Sequence, residues 1–429
     1  MRDHTTPIVQ ELTSSGSESV TLVPTTTQQK GTFNITGVDP VTDGKRNYAT
    51  GFWGHLSTVL DPDAAGSAVS ADKLGKAMAS WRLFSPIMGE VHPEKSTRGS
   101  VLYHMTQVLA LGYAYPQHAR AQIPANTDTD VTIELYYFLP LSYEFLKKPH
   151  ETAQWVGFFD QGLLEGSLDV STVFDGDYAG AVLKATTQLR AWVEYLPSPD
   201  IFLGVPVQWR EREIAGGGSQ PTLVGVGQET QLTGVRPGCG LAFLGWLTDA
   251  TGIGLSGADG VDNITQYELP WRNQKTVRNL DPLFLNLRRA YGGRRVGPVA
   301  GTGATIIHDG ASWPSTMDST PNGRFGANSQ QMVLPLVFPG LDAETSKFQR
   351  VNGNLKVNFT TTAPISNAHR FLSCEFMEFE DRQIDTMFRA MGVDPNFFDY
   401  RRKALLDNAP SDEKLRYTRI VATPKPQAA

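Results

Sequence analysis

Residues Val131–Phe145 read VTIELYYFLPLSYEF, and residues 333–336 read VLPL. The first stretch is too long and too aromatic for a simple edge strand. Its Pro140 cannot donate to a ladder and so marks a bulge or an unpaired end. It reads as a buried strand of a sandwich. Working outward from FLPL (Phe138–Leu141), GSLDV follows at Gly166–Val170 and an apolar strand, QLRAWVEYL, at Gln188–Leu196. From VLPL (Val333–Leu336), GNLKV follows at Gly353–Val357 and HRFLSCEFMEF at His369–Phe379. Corresponding segments stand about 190 residues apart. Each short pattern is common by itself; their shared order, spacing and strand context read as the duplication of a β-rich unit.

Composition agrees with two large β units. A chain of 429 residues can bury roughly three quarters of its unfolded surface, so no disulfide or metal is needed to support a core. Lys plus Arg number 38 against 44 Asp plus Glu, a net charge of −6, which excludes a binder of nucleic acid over the whole surface. Charged residues make up 19%, below the roughly 25% of an ordinary soluble domain, and 41 Gly with 27 Pro imply many turns. Further strands are expected at Ser19–Pro24, Gly31–Val38, Val101–Tyr115 and Val205–Ile214. Helices are expected at Ser70–Leu83, at Thr276–Tyr291 with Asp281 and Pro282 at its start, and at Asp381–Met391 with Gly392 as its stop. Polar residues 1–30 and the Pro- and Lys-bearing end from Pro410 read as arms. Gly238–Gly257 has nearly the length of a membrane span, but Asp249 and repeated glycines argue against one. The first residues lack a secretory pattern, which implies synthesis and folding in a cytosol.

The chemistry-bearing residues do not converge. Cys239 and Cys374 have no metal-ligand spacing and read as buried thiols, and the eight histidines are scattered singly. Asp128 and Asp130 in NTDTD, and Asp175 with Asp177 in DGD, read as turns. Gly301-Thr302-Gly303 completes no nucleotide loop, and no serine elbow is present. Glu134, Glu194 and Glu375 lie in strands and read as solvent-side alternates. No catalytic, cofactor or metal residue is therefore nominated. Basic groups cluster at Arg288, Arg289, Arg294 and Arg295, and at Arg401, Arg402 and Lys403. From Asp399 onward seven basic residues face four acidic ones. The second cluster suits contact with anionic lipid, nucleic acid or an acidic neighbour, or is a solvated face, while the arginines beside Gly292 read as salt bridges between subunits or an ordinary helix end.

Two consecutive β-rich halves of about 190 residues, each with LPL and GxLxV strands and a helix, resemble the double jelly-roll capsid proteins of tailless, internal-membrane icosahedral viruses, the lineage of tectivirus-like phages and adenovirus hexon. The resemblance implies an all-β fold of two tandem eight-stranded jelly-roll sandwiches with a few short helices and long loops. The expected divisions are an N-terminal arm at 1–18, jelly rolls at 19–200 and 201–380, and a C-terminal helix and basic arm at 381–429. It further implies a non-enzymatic major capsid protein of a virion, here a bacteriophage, that forms pseudo-hexagonal homotrimers. Expected partners are other copies of itself, neighbouring capsomers, penton and minor proteins and an internal membrane, with no specific nucleic acid. Arg401, Arg402 and Lys403 are the candidate membrane or neighbour contact. The competing readings are a carbohydrate- or receptor-binding β-sandwich, spike-like in role, and a sandwich glycosidase with distant paired carboxylates.

Overall fold

The computed structural model describes residues 7–22, 29–62, 64–65, 75–93, 99, 102, 128–141, 153–168, 182–183, 187–204, 207–213, 228–232, 240–248, 264–268, 279–280, 296–298, 306–308, 311–313, 333–335, 355–361, 370–376, 381–393, 398–404 and 417–424. Among the described residues eight principal strands build the first half: β1 (Ile8–Glu11), β2 (Gln29–Ile35), β3 (Lys45–Asp61), β4 (Met78–Ser85), β5 (Gly89–His92), β6 (Val131–Pro140), β7 (Gly162–Leu168) and β8 (Thr187–Ser198); four strands of two or three residues, Val20–Leu22, Val41–Thr42, Gln154–Trp155 and Val182–Leu183, extend the sheet that holds β3 and β8. One sheet runs β1-β8-β3-β6 and the other β2-β7-β4-β5, all antiparallel. Every connection but β4 to β5 changes sheet, which is the Greek-key wrapping of a jelly roll.

The second half repeats this wiring. Its jelly-roll strands are β9 (Val207–Glu213), β10 (Gln228–Leu232), β11 (Gly240–Thr248), β12 (Ile264–Glu268), β13 (Asn279–Leu280), β14 (Val333–Pro335), β15 (Leu355–Thr361) and β16 (Arg370–Phe376), and a separate three-stranded sheet, Val296–Pro298, Ile306–His308 and Ala311–Trp313, lies between β13 and β14 in the chain. They pair as β9-β16-β11-β14 and β10-β15-β12-β13. Each strand has the same neighbours as the strand eight places earlier, so the chain is a double jelly roll.

In the first sandwich the alternation of strand side chains supplies the core. Phe33 and Ile35 of β2, Phe52 and Leu56 of β3, Trp81 and Leu83 of β4, Leu135, Tyr137 and Leu139 of β6, Leu164 and Leu168 of β7, and Leu189, Ala191 and Val193 of β8 form one buried cluster. Trp81 needs special room. A Cβ added to Gly54 on the opposite sheet would lie 2.3 Å from its ring, and one added to Gly166, its cross-strand partner, 2.8 Å away.

Three sequence expectations change. The helix expected over Ser70–Leu83 is not formed in its described part, where Gly75–Ala77 is one short turn and Met78–Ser85 is strand β4, held between β7 and β5; residues 70–74 lie outside the described residues. Ala and Lys propensity is a few tenths of a kcal/mol, about the size that ladder pairing and burial of Trp81 override. Residues 8–11 are not an arm but strand β1, laid along β8. The C-terminal segment also carries strands: Phe398–Ala404 and Tyr417–Pro424 form a hairpin whose second strand pairs with Phe202–Gly204 in the linker between the halves. The helix α1 (Asp381–Ala390) forms where expected. The span candidate at Gly238–Gly257 contains strand β11, and among the described residues no helix is long and apolar enough to cross a membrane. The strand read at Val101–Tyr115 and the helix at Thr276–Tyr291 fall mainly outside the described residues.

Candidate functional site

The outward face of sheet β1-β8-β3-β6 carries the densest polar and aromatic grouping among the described side chains. Register puts Arg190, His55 and Tyr136 in one row across β8, β3 and β6, and Trp192, Trp53 and Phe138 in the next. The His55 and Tyr136 rings stack at 4.4 Å, Trp53 and Phe138 lie 4.5 Å apart, and the Arg190 guanidinium stands 5.2 Å from the Trp192 ring centre. The carboxylates are all engaged. His55 Nε2 hydrogen-bonds Glu134, whose other oxygen accepts from Ser57 Oγ at 2.8 Å. Glu194 accepts from Thr50 Oγ1 at 2.7 Å and from Trp53 Nε1 at 3.1 Å, while Arg190 donates to Glu11 at 2.6 and 2.7 Å. Thr50 is the extra residue of a bulge opposite Glu194 and Tyr195, which re-aims this end of β3.

Burial lowers the pKa of His55, and Glu134 partly opposes that shift. Glu134 and Glu194 thus sit on the outward face, as their alternation predicts, but each holds a neighbour in place. For Glu375 the described fact is its register in β16, opposite Gln208 and Gly240.

A second grouping lies where the halves meet. Gln208 of β9 is buried and donates through Nε2 to the carbonyls of Val91 (2.7 Å) and Glu90 (3.2 Å) in β5. Its Oε1 accepts from Arg210 Nη2 at 2.6 Å and Nε at 3.1 Å. His92, at the end of β5, is buried with no hydrogen-bond partner for Nε2 among the described residues, and burial together with the nearby Arg210 charge lowers its pKa to about 4. The linker is pinned just as firmly: the Tyr48 hydroxyl donates to Asp200 O (2.9 Å) and accepts from Phe202 N–H (3.2 Å), and the two rings stack at 4.0 Å.

Arg401, Arg402 and Lys403 lie in the strand Phe398–Ala404, opposite Val421, Ile420 and Arg419. Arg288, Arg289, Arg294 and Arg295, the GTG loop and the DGD turn lie outside the described residues; Asp128 and Asp130 are exposed just before β6. Among the described residues no three His, Cys, Asp or Glu side chains gather as a metal set. The sequence reading missed His55, His92 and Gln208. A signal for His55 was present: GFWGHL at Gly51–Leu56 in β3 is matched by AFLGWL at Ala242–Leu247 in β11, about 190 residues on.

No family model matches the chain, and no curated protein matches its sequence. Among solved structures the chain is similar to the STIV MCP, at 9% identity and a TM-score of 0.49 over 89% of this chain and 98% of that one. It is similar to a chain of the PBCV-1 virus capsid at 10% identity and a TM-score of 0.48, covering 88% of this chain and 95% of that one. The major capsid protein P2 from bacteriophage PM2 gives 11% identity and a TM-score of 0.37, with 82% and 99% covered.

Proposed function

We propose that this chain is a major capsid protein whose activity is assembly: three copies form a pseudo-hexagonal capsomer that tiles an icosahedral shell. The observation that carries this reading is the repeated wiring, in which β9 to β16 pair as β1 to β8 do. Two like sandwiches per chain give a ring of six like units from three chains, an outline that fills a hexagonal lattice. In this reading the partners are other copies and neighbouring capsomers, together with penton and minor proteins, and the site is the virion of a bacteriophage after synthesis in the host cytoplasm. The basic strand with Arg401, Arg402 and Lys403 would meet an internal membrane or a neighbour. Light scattering on the purified protein tests the reading: a mass near three times 47.0 kDa supports it, and a monomer at every concentration overturns it.

The grouping of Trp53, Tyr136 and Trp192 across two neighbouring rows favours a second reading, a glycan-binding face. It is the weaker one, because Glu134, Glu194 and Arg190 already spend their hydrogen bonds on neighbouring residues. Saturable retention on a glycan array, lost in Trp53→Ala, would raise it.

A further inference from the structure

We propose that α1 and the turn after it are the closing piece of the first sandwich, so that this sandwich reaches its native packing only after the second has been made. Each half owns both of its jelly-roll sheets, and the wiring alone would let each fold separately. The side chains say otherwise. Ile384, Met387, Phe388, Met391 and Val393 are at most 6% exposed and belong to the same buried cluster as the strands of the first sandwich. Four of them recur at the i, i+3, i+4, i+7 spacing of one helical face, while Arg382, Asp385, Thr386 and Arg389 face water.

The receiving surface belongs to the first half. The helix packs against the short turn Val156–Phe159, whose Val156, Phe158 and Phe159 are buried, and Phe159 in turn packs edge-on against Phe52 of β3 at 5.0 Å. Arg46 at the start of β3 donates to the Met391 carbonyl at 3.1 Å, satisfying one of the acceptors a helix leaves at its end. The end itself is sharply defined. Gly392 has φ of +76°, its N–H donates to Arg389 O, and Val393 N–H donates to Phe388 O, which returns Val393 to the apolar surface.

Chain order turns this contact into a sequence of events. β8 ends at Ser198 and α1 begins at Asp381, so about 180 residues, including all of β9 to β16, are made in between. A ten-residue helix has little stability alone in water, and it forms as it docks. Until then the first sandwich lacks one apolar layer against Val156–Phe159. The pairing of Tyr417–Pro424 with the linker strand Phe202–Gly204 adds a second tie from the same segment. The first sandwich is therefore closed by residues that follow both halves in the chain, whatever the chain then assembles into.

Hydrogen exchange read by mass spectrometry on the full chain tests this. In Phe388→Ala, amides of peptides covering 45–61 and 153–168 are expected to exchange roughly tenfold faster or more, although the substitution follows the second sandwich. Gly392→Ala, which strains the helix end, should give the same pattern more weakly, and Asp385→Ala on the wet face should leave it unchanged. Acceleration confined to 381–393, or appearing in 355–376 instead, overturns the proposal. If Phe388→Ala is insoluble, Met387→Ala and Gly392→Ala provide the same reading.

Discussion

The ring of Trp81 on β4 lies against the bare backbone of Gly54 on β3, spanning the space between the two sheets of the first sandwich. A Cβ at position 54 would stand 2.3 Å from Trp81 Cζ2 and 2.4 Å from Cη2, and a fully buried indole has nowhere to retreat. Gly54→Ala is expected to lower unfolding stability by about 1–3 kcal/mol, the usual penalty of overpacking. Trp81→Ala should lower it by about 3–5 kcal/mol through a cavity. Urea unfolding midpoints check both; an unchanged midpoint for Gly54→Ala would mean that the sheets can part there without strain.

Tyr48→Phe isolates the linker's anchor. The stack on Phe202 survives, while the bonds to Asp200 O and from Phe202 N–H are lost. Each such bond contributes about 0.5–1.5 kcal/mol net, so a loss of about 1–3 kcal/mol is expected in thermal or urea unfolding. Faster amide exchange should appear first at 199–204.

Acid should weaken the protein through His92. Its folded pKa of about 4 lies below the ordinary 6.5, so between those values the unfolded chain binds the proton that the folded chain refuses. The contribution is whole above pH 6.5 and falls as pH drops toward 4, by up to about 3 kcal/mol. His55, also lowered by burial, acts with the same sign. His92→Leu should flatten the dependence of the urea midpoint between pH 7 and 4.5; an equally steep profile in that variant would remove His92 as the cause.

Glu134 holds His55 from the outward face. Burial pulls the His55 pKa down, and the Glu134 charge and hydrogen bond push it back up. Glu134→Gln is therefore expected to lower the His55 pKa further. Titration of the His55 ring followed by NMR reads this directly, and a rise on substitution would contradict the arrangement.

Where local pattern and final pairing agree, the sequence was readable. Leu139 and Leu334 of the two LPL segments take equivalent places, opposite Phe52 and Phe243, and both strands end at the proline, which cannot continue a ladder. The GxLxV pair was a partial success. Both copies fall on the equivalent strands β7 and β15, but Leu168 pairs with Gln29 at the start of β2 while Leu355 pairs with Leu232 at the end of β10. A match of letters so short does not set register. Met78–Ser85 was misread because its Ala and Lys neighbours favour helix locally, whereas the decisive contacts come from Gly166 and Gly54, both distant in sequence. The outward grouping of His55, Glu134 and Glu194 was hidden for the same reason: cross-strand rows form only after register is known.

Electron-microscope images of the purified particle would test the central claim, that three chains of paired sandwiches make one six-unit ring, most directly. Class averages with a hexagonal outline, six like densities and threefold symmetry are predicted. Two-lobed single chains, or rings of any other number, would contradict it.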